Sequence, residues 1–287
     1  MGSPLRAFKN GVVERMTASH LAGPVLTDAL HVYTQARSLG WSATFGYWSA
    51  PGDTPETFAR IYAEAVDFIG GKSLDCYLSI KVTGFKFDFG LMMALLDQAE
   101  EKGVRVHCDA MAPDSAAPTF ALLERVLQVH RNVGCTLPAR WERSLDDTAR
   151  VIEWGIPVRV VKGQWADPLK PRLHAAVQYL EVIRRLSEGA FHVAVATHDR
   201  RVAREALRQL RSTGTSCEME QLSSLPQNCA PLAESLHVPL RLYIPYGFPS
   251  LPYSIWQART RPQIVGWVLR DIFSAEHRKL PSAVAHR

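Results

Sequence analysis

A closed (β/α)8 barrel is the fold class that the sequence predicts, and three observations predict it. Short apolar runs of strand length alternate with amphipathic stretches of helix length, and each parallel step of a sheet needs such a crossover. About eight of these units fit within the 287 residues, the count of a closed barrel. No Gly-x-Gly-x-x-Gly follows any strand-like run, which argues against an open sheet built to hold a dinucleotide.

The elements follow in order. A helix is expected over 27–39, stopped by Gly40, where a glycine can adopt the left-handed turn that ends a helix. Residues 41–48 read as the first strand, 55–69 as a helix before Gly70-Gly71, and 74–82 as the second strand with Lys81 at its carboxyl end. A helix over 89–102 precedes the third strand, 104–109, which ends in Asp109. Residues 117–131 read as helix and 133–139 as the fourth strand. Ser144 opens a helix with Asp146 and Asp147 in its first turn, where the helix dipole favours acids. Residues 158–161 form the fifth strand, 171–188 a long helix, and 191–197 the sixth strand. Helix 199–210, strand 216–222, strand 240–244 and a final helix over 252–273 complete the pattern. The whole chain, 1–287, is expected to be one barrel domain, with a helical lead-in over about 1–40 and a tail from about 274.

Composition narrows the function. A hydrophobic share of 47% is that of a globular chain with a sizeable core. No run of about 18 apolar residues is present, so no membrane-spanning helix is expected. The first residues lack the apolar core of a secretory signal. The five cysteines are odd in number and none is spaced as Cys-x-x-Cys. They are expected to be reduced, buried thiols in a cytoplasmic protein, not a disulfide framework or a metal site. The net charge of +5 is spread along the chain without basic runs interleaved with aromatics, so no nucleic-acid partner is expected. A buried anionic cofactor would account for some of the surplus.

Function is expected where parallel strands give way to their loops. The segment Val158-Arg-Val-Val-Lys-Gly-Gln-Trp165 brings a cation, a second cation, a glycine and an aromatic to such an end. The other strand ends bring Lys81, Asp109, Thr197 with His198, Glu220 and Tyr243 to the same rim. Each has a plainer explanation: Lys81 and Asp109 as a structural ion pair, His198 as a core histidine bonded to backbone, Tyr243 as wall packing. Their convergence on one mouth favours a site.

These residues resemble the proline dehydrogenase family. The resemblance rests on Arg159-Val-Val-Lys-Gly163, Ala196-Thr-His198, Arg241-Leu-Tyr-Ile-Pro-Tyr-Gly247, and Arg261-Pro262 followed by Trp267-Val-Leu-Arg-Asp-Ile-Phe273. Ser79-Ile-Lys81 and His107-Cys-Asp109 stand where that family has its strand-two lysine and strand-three aspartate. The resemblance implies an FAD-dependent (β/α)8 barrel. It implies Arg159 beside the flavin N5, and Val161, Lys162, Gly163, Gln164, Trp165, Thr197, His198 and Cys108 as further cofactor contacts. Lys81, Asp109 and Arg159 are the implied catalytic groups, and no metal is implied.

The chain departs from the family on the substrate side. Two adjacent arginines that grip the substrate carboxylate follow a tyrosine in the family; here Tyr253 is followed at that spacing by Trp256 and Gln257. Losing each charge-assisted bond costs roughly 1.5–3 kcal/mol. Free proline is therefore not the expected substrate. Thr260 stands for a glutamate, Pro138 and Glu220 for glutamines, Trp165 for a tyrosine and Asp199 for an asparagine. The resemblance so read implies hydride transfer from an amine or amino-acid derivative to flavin, with Lys81, Tyr243, Tyr253, Trp256 and Gln257 around the substrate. A quinone or O2 would accept the electrons, and a homo-oligomer is compatible with the chain. The alternatives are an oxidase or monooxygenase of specialised metabolism, and a barrel that binds flavin or another ligand without turnover.

Overall fold

The computed structural model describes residues 20–72 and 74–248. Eight parallel strands close into a barrel in chain order, β1 pairing with both β2 and β8. They are β1 Ser42–Trp48, β2 Cys76–Ile80, β3 Val106–Cys108, β4 Val133–Pro138, β5 Pro157–Val161, β6 His192–Ala196, β7 Cys217–Leu222 and β8 Leu240–Gly247. The helices are α1 Leu26–Ser38, α2 Pro55–Ile69, α3 Phe89–Glu101, α4 Ala116–Val126, α5 Ser144–Trp154, α6 Ala175–Leu186, α7 Arg200–Ser212 and α8 Ala230–Ser235. The closed (β/α)8 barrel expected from the sequence is the observed fold. The final helix expected over 252–273 lies outside the described residues.

Local chemistry sets the element ends. Thr54 accepts the amide of Thr57 at the start of α2, with Pro55 at the first helical position. Asp88 caps α3 through the Leu91 amide at 2.8 Å. Gly155 ends α5 in the left-handed region, at φ +64. The structure departs furthest from the pattern at two helix ends and one added helix. The helix expected to reach 131 stops at Val126, because the chain turns to bury His130 between Asp97 and Glu100 of α3. The helix expected from 171 begins at Ala175, after a loop held by Asp167, which accepts the amides of Leu169 and Lys170. The short α8 was not in the pattern, since six residues do not complete two helical turns of periodicity.

Alternation along each strand sorts the side chains into two layers. Outward residues such as Phe45, Leu78, Ile80, Val160, Val195 and Ile244 are buried in the apolar layer beneath the helices. Inward residues are polar to an unusual degree. Tyr77, Ser79, His107, Arg159, Glu218, Glu220 and Arg241 are all buried, where barrels commonly place branched aliphatics. At the amino end of the barrel, Arg241 donates to Glu218 at 2.9 Å, to the Ala43 carbonyl at 2.7 Å and to Asp75 at 2.9 Å. Burial pushes the Glu218 carboxyl up, but His192, Arg241 and Arg105 outweigh it and hold the group at about 2.

Candidate active site

The carboxyl ends of the strands surround a cavity of about 390 Å³. Lys81, Asp109, Arg159, Val161, Gly163, Gln164, Trp165, Thr197, His198, Glu220 and Tyr243 all line it. The strand ends named from the sequence therefore converge, and the mouth is open.

Arg159, inward on β5 and 2% exposed, is the hub. Its Nη1 donates to Asp109 Oδ1 at 2.7 Å and to Ser79 Oγ at 3.1 Å, and its Nη2 donates to the Tyr77 hydroxyl at 3.2 Å. Its Nε lies 2.9 Å from Glu220 Oε1, but off the N–H axis, so that contact is an ion pair without an aligned hydrogen bond. Burial works against the guanidinium charge; Glu220, Tyr77 and Asp109 more than offset it and raise the group well above its ordinary value. Burial likewise pushes the Glu220 carboxyl up, while Arg159 pulls it back. The Tyr77 hydroxyl donates to Glu220 Oε2 at 3.0 Å.

Asp109 gathers three donors. Besides Arg159, Ser79 donates to its Oδ1 at 2.7 Å and the Tyr243 hydroxyl to its Oδ2 at 2.9 Å. The plainer reading of Lys81 and Asp109 as an ion pair does not describe this site, because Asp109 turns to Arg159. Lys81 Nζ instead donates to the Tyr47 carbonyl, and its own amide is fixed by the Tyr62 hydroxyl at 2.9 Å. Burial pushes the Lys81 ammonium down to about 8, with Asp109 opposing. The amine can thus exchange a proton near neutral pH. Nor is Tyr243 merely wall packing, since its hydroxyl bonds Asp109.

His198 reaches the rim, yet both ring nitrogens are engaged, Nε2 by backbone and Nδ1 by the Pro226 carbonyl and the Gln221 side chain. The Leu222 amide donates to Nε2 at 3.0 Å, so Nε2 is an acceptor and Nδ1 carries the proton toward the Pro226 carbonyl at 3.2 Å. Burial lowers its proton affinity, in keeping with the neutral ring. Its structural role anchors the loop after β7. Cys108 sits on the opposite face of β3 from His107 and Asp109, buried in the apolar layer beside Phe120 of α4. Its thiol does not line the mouth. Tyr253, Trp256 and Gln257 lie outside the described residues.

A second cavity of about 380 Å³ adjoins the first at the Lys162–Gly163 turn, and both are lined by Thr197. Arg140, Lys162, Lys170, Arg172 and His174 make its walls basic. The turn between the two is stiff. The Ala139 and Arg140 amides donate to the carbonyls of Val161 and Lys162 at 2.8 and 3.1 Å, extending the β4–β5 pairing. Gly163 has φ +85, and a Cβ there would meet Pro138 Cβ at 2.8 Å, so glycine is required twice over. At the start of α7, Asp199 accepts the Arg201 and Val202 amides at 2.9 and 3.2 Å. The helix N-terminus is occupied by its own acid.

Sequence reasoning missed Tyr77 and Ser79, which hold Arg159, and Trp48, Thr136 and Trp141, which line the mouth. The first two were within reach: they lie two and four residues before Lys81 on one strand and so share its face. Trp141 carried no such signal; its indole donates to the Trp165 carbonyl at 3.1 Å across two loops.

No family model matches the chain. It is 24% identical over 271 residues to proline dehydrogenase 1 of Bacillus subtilis subsp. natto, an alignment covering 88% of this chain and 89% of the relative. Proline dehydrogenase 1 of Bacillus subtilis strain 168 is 23% identical over the same length. Among solved structures, proline utilization A from Bdellovibrio bacteriovorus, inactivated by N-propargylglycine, superposes with a TM-score of 0.71 at 16% identity, covering 95% of this chain. The fold is shared. Proline utilization A from Corynebacterium freiburgense gives 0.68 at 15% identity, covering 97% of this chain. The chain spans 36% and 35% of those two longer proteins.

Proposed function

We propose that the chain is an FAD-dependent oxidoreductase of the proline dehydrogenase type, a single barrel domain acting in the cytoplasm on an amine or amino-acid derivative other than free proline. One observation carries this reading. An aromatic-walled cavity with Arg159 in its floor adjoins a basic cavity at Gly163, a pairing that suits a flat ring joined to a diphosphate. The donor set fits FAD: Lys162 and Arg140 suit phosphate oxygens, Gly163 allows close backbone approach, and Trp165 and Trp141 offer flat faces. FAD held there supplies a two-electron acceptor for hydride leaving a carbon next to nitrogen.

The remaining work falls to the chain. Arg159 is a fixed guanidinium where negative charge would develop, oriented before reaction by Ser79, Tyr77 and Asp109. Lys81 can take the proton that a substrate ammonium must lose before its carbon can give up hydride. Tyr243 and Trp48 wall the space above it. Trp256 and Gln257, where the resemblance places a carboxylate-gripping arginine pair, support a substrate whose acid group is masked, absent or held otherwise.

The test is reconstitution with FAD followed by anaerobic addition of secondary amines. A yellow protein that bleaches with an amine lacking a free carboxylate, and not with free L-proline, is the expected result. Oxygen uptake against reduction of a soluble quinone then separates the two acceptors. A protein that stays colourless with FAD overturns the reading, and bleaching by free L-proline overturns its substrate half.

A further inference from the structure

We propose that Glu220 is a positioning residue that cancels the charge of Arg159, making the mouth electrically neutral and selecting against carboxylate substrates. The inference rests on the FAD reading above and concerns what this chain's own residues do to the cofactor's environment. Among the described residues, four Lys, Arg, Asp and Glu side chains line the mouth: Lys81, Asp109, Arg159 and Glu220. With all four ionised, two cations face two carboxylates. A glutamine at 220, which the resemblance implies at this place in β7, would leave one positive charge in surplus.

The geometry makes Glu220 a counterion by design of its surroundings. Its side chain is 2% exposed, and so is that of Arg159. Oε1 faces Arg159 Nε at 2.9 Å, and Oε2 accepts from the Tyr77 hydroxyl. Tyr77 is itself an acceptor from Arg159 Nη2, which leaves its hydroxyl hydrogen for Glu220. Oε2 thus accepts a hydrogen bond while Oε1 lies beside the guanidinium as an ion pair, so the carboxylate is set directly against the Arg159 charge. Asp109 holds the other edge of the guanidinium at 2.7 Å. Arg159 is thus clamped between an acid just past β3 and one on β7, and its field at the mouth is balanced at ion-pair distance. A charge so matched does less to favour a reduced, anionic flavin or an incoming carboxylate than an unmatched one.

The experiment compares wild type, E220Q and Y77F, each reconstituted with FAD. The readouts are the flavin midpoint potential and the Kd of acetate as a small carboxylate probe. E220Q should shift the potential positive by about 30 mV, a tenfold change in a two-electron equilibrium, and bind acetate about tenfold more tightly. Y77F keeps the charges and removes a hydroxyl, so its potential should stay with wild type. Should E220Q fail to fold, Glu220→Met is uncharged, of similar length, and carries the same test. Yellow proteins with equal potentials and equal acetate affinities overturn this inference and leave the FAD reading standing. Proteins that do not bind FAD overturn both.

Discussion

The hydroxyl end of Tyr243 packs against the bare Cα of Gly46: a Cβ there would lie 2.6 Å from Tyr243 Cζ. Glycine in β1 thus makes room for the tyrosine that β8 sends across to Asp109. Gly46→Ala is expected to push Tyr243 aside and break that bond, with a stability loss of about 1–3 kcal/mol. Denaturant unfolding gives the cost. Turnover should fall with it, and an alanine variant as stable and active as wild type would show that the ring moves freely.

Arg159→Met should be costly for folding as well as for catalysis, because it leaves buried Asp109 and Glu220 without their cation. Breaking a buried pair in this way costs about 3–5 kcal/mol. Without Arg159 the Glu220 carboxyl, already pushed up by burial, rises further. The native state then binds protons that the unfolded chain does not, so the deficit of Arg159→Met should narrow as pH falls from 7 toward 5. A deficit independent of pH would place the cost in packing alone.

Lys81 has a folded-state proton affinity lowered by burial to about 8. Its penalty is full below that pH and fades above it, as the unfolded chain also loses its proton. Lys81→Met should therefore be more stable than wild type at pH 7 by on the order of 2–3 kcal/mol, with a smaller gain at pH 9.5. If the amine accepts the substrate proton, kcat/KM of the wild type rises through pH 8 and the variant lacks that limb.

Asp199 spends its carboxylate on the α7 amides beside the basic cavity. Asp199→Asn keeps an oxygen for the cap and removes one negative charge. FAD affinity, measured by quenching of flavin fluorescence, should improve severalfold with little change in melting temperature, whereas Asp199→Ala should lose about 1 kcal/mol of stability.

Glu218, held at about 2, stabilises the fold above its unfolded-state value near 4.5, and that contribution disappears as pH falls toward 2. Denaturant titrations at pH 7, 5 and 3 should show a steep acid loss, flatter in Glu218→Gln. Parallel curves would mean that other groups govern acid unfolding.

The barrel and its rim were legible because strand alternation and strand ends are local features. Lys81, Asp109, Arg159, Thr197 and Tyr243 could each be placed at the mouth from their own few neighbours. The contacts between them were not legible in the same way. That Asp109 would turn to Arg159 and not to Lys81, and that Glu220 on β7 would face β5, depends on how the closed sheet brings distant strands together. His198 shows the same limit: its place at the mouth follows from its neighbours, but the bonds that hold it come from Leu222 at the end of β7 and Pro226 in the loop beyond. Helix boundaries failed where a tertiary contact overrode periodicity, as at His130. Among the residues expected around the substrate, Tyr243 and Lys81 both line the mouth.

The charged interior has one more consequence. Eight similar staves could close with one of them slid along its neighbours by two residues, which keeps its faces in and out. In an aliphatic barrel that mistake is a modest loss of fit. Here a slide of β5 or β8 would strand a guanidinium in a dry interior away from its acid. The ion pairs act as the teeth of a key, admitting one closure of the cylinder and refusing its near twins.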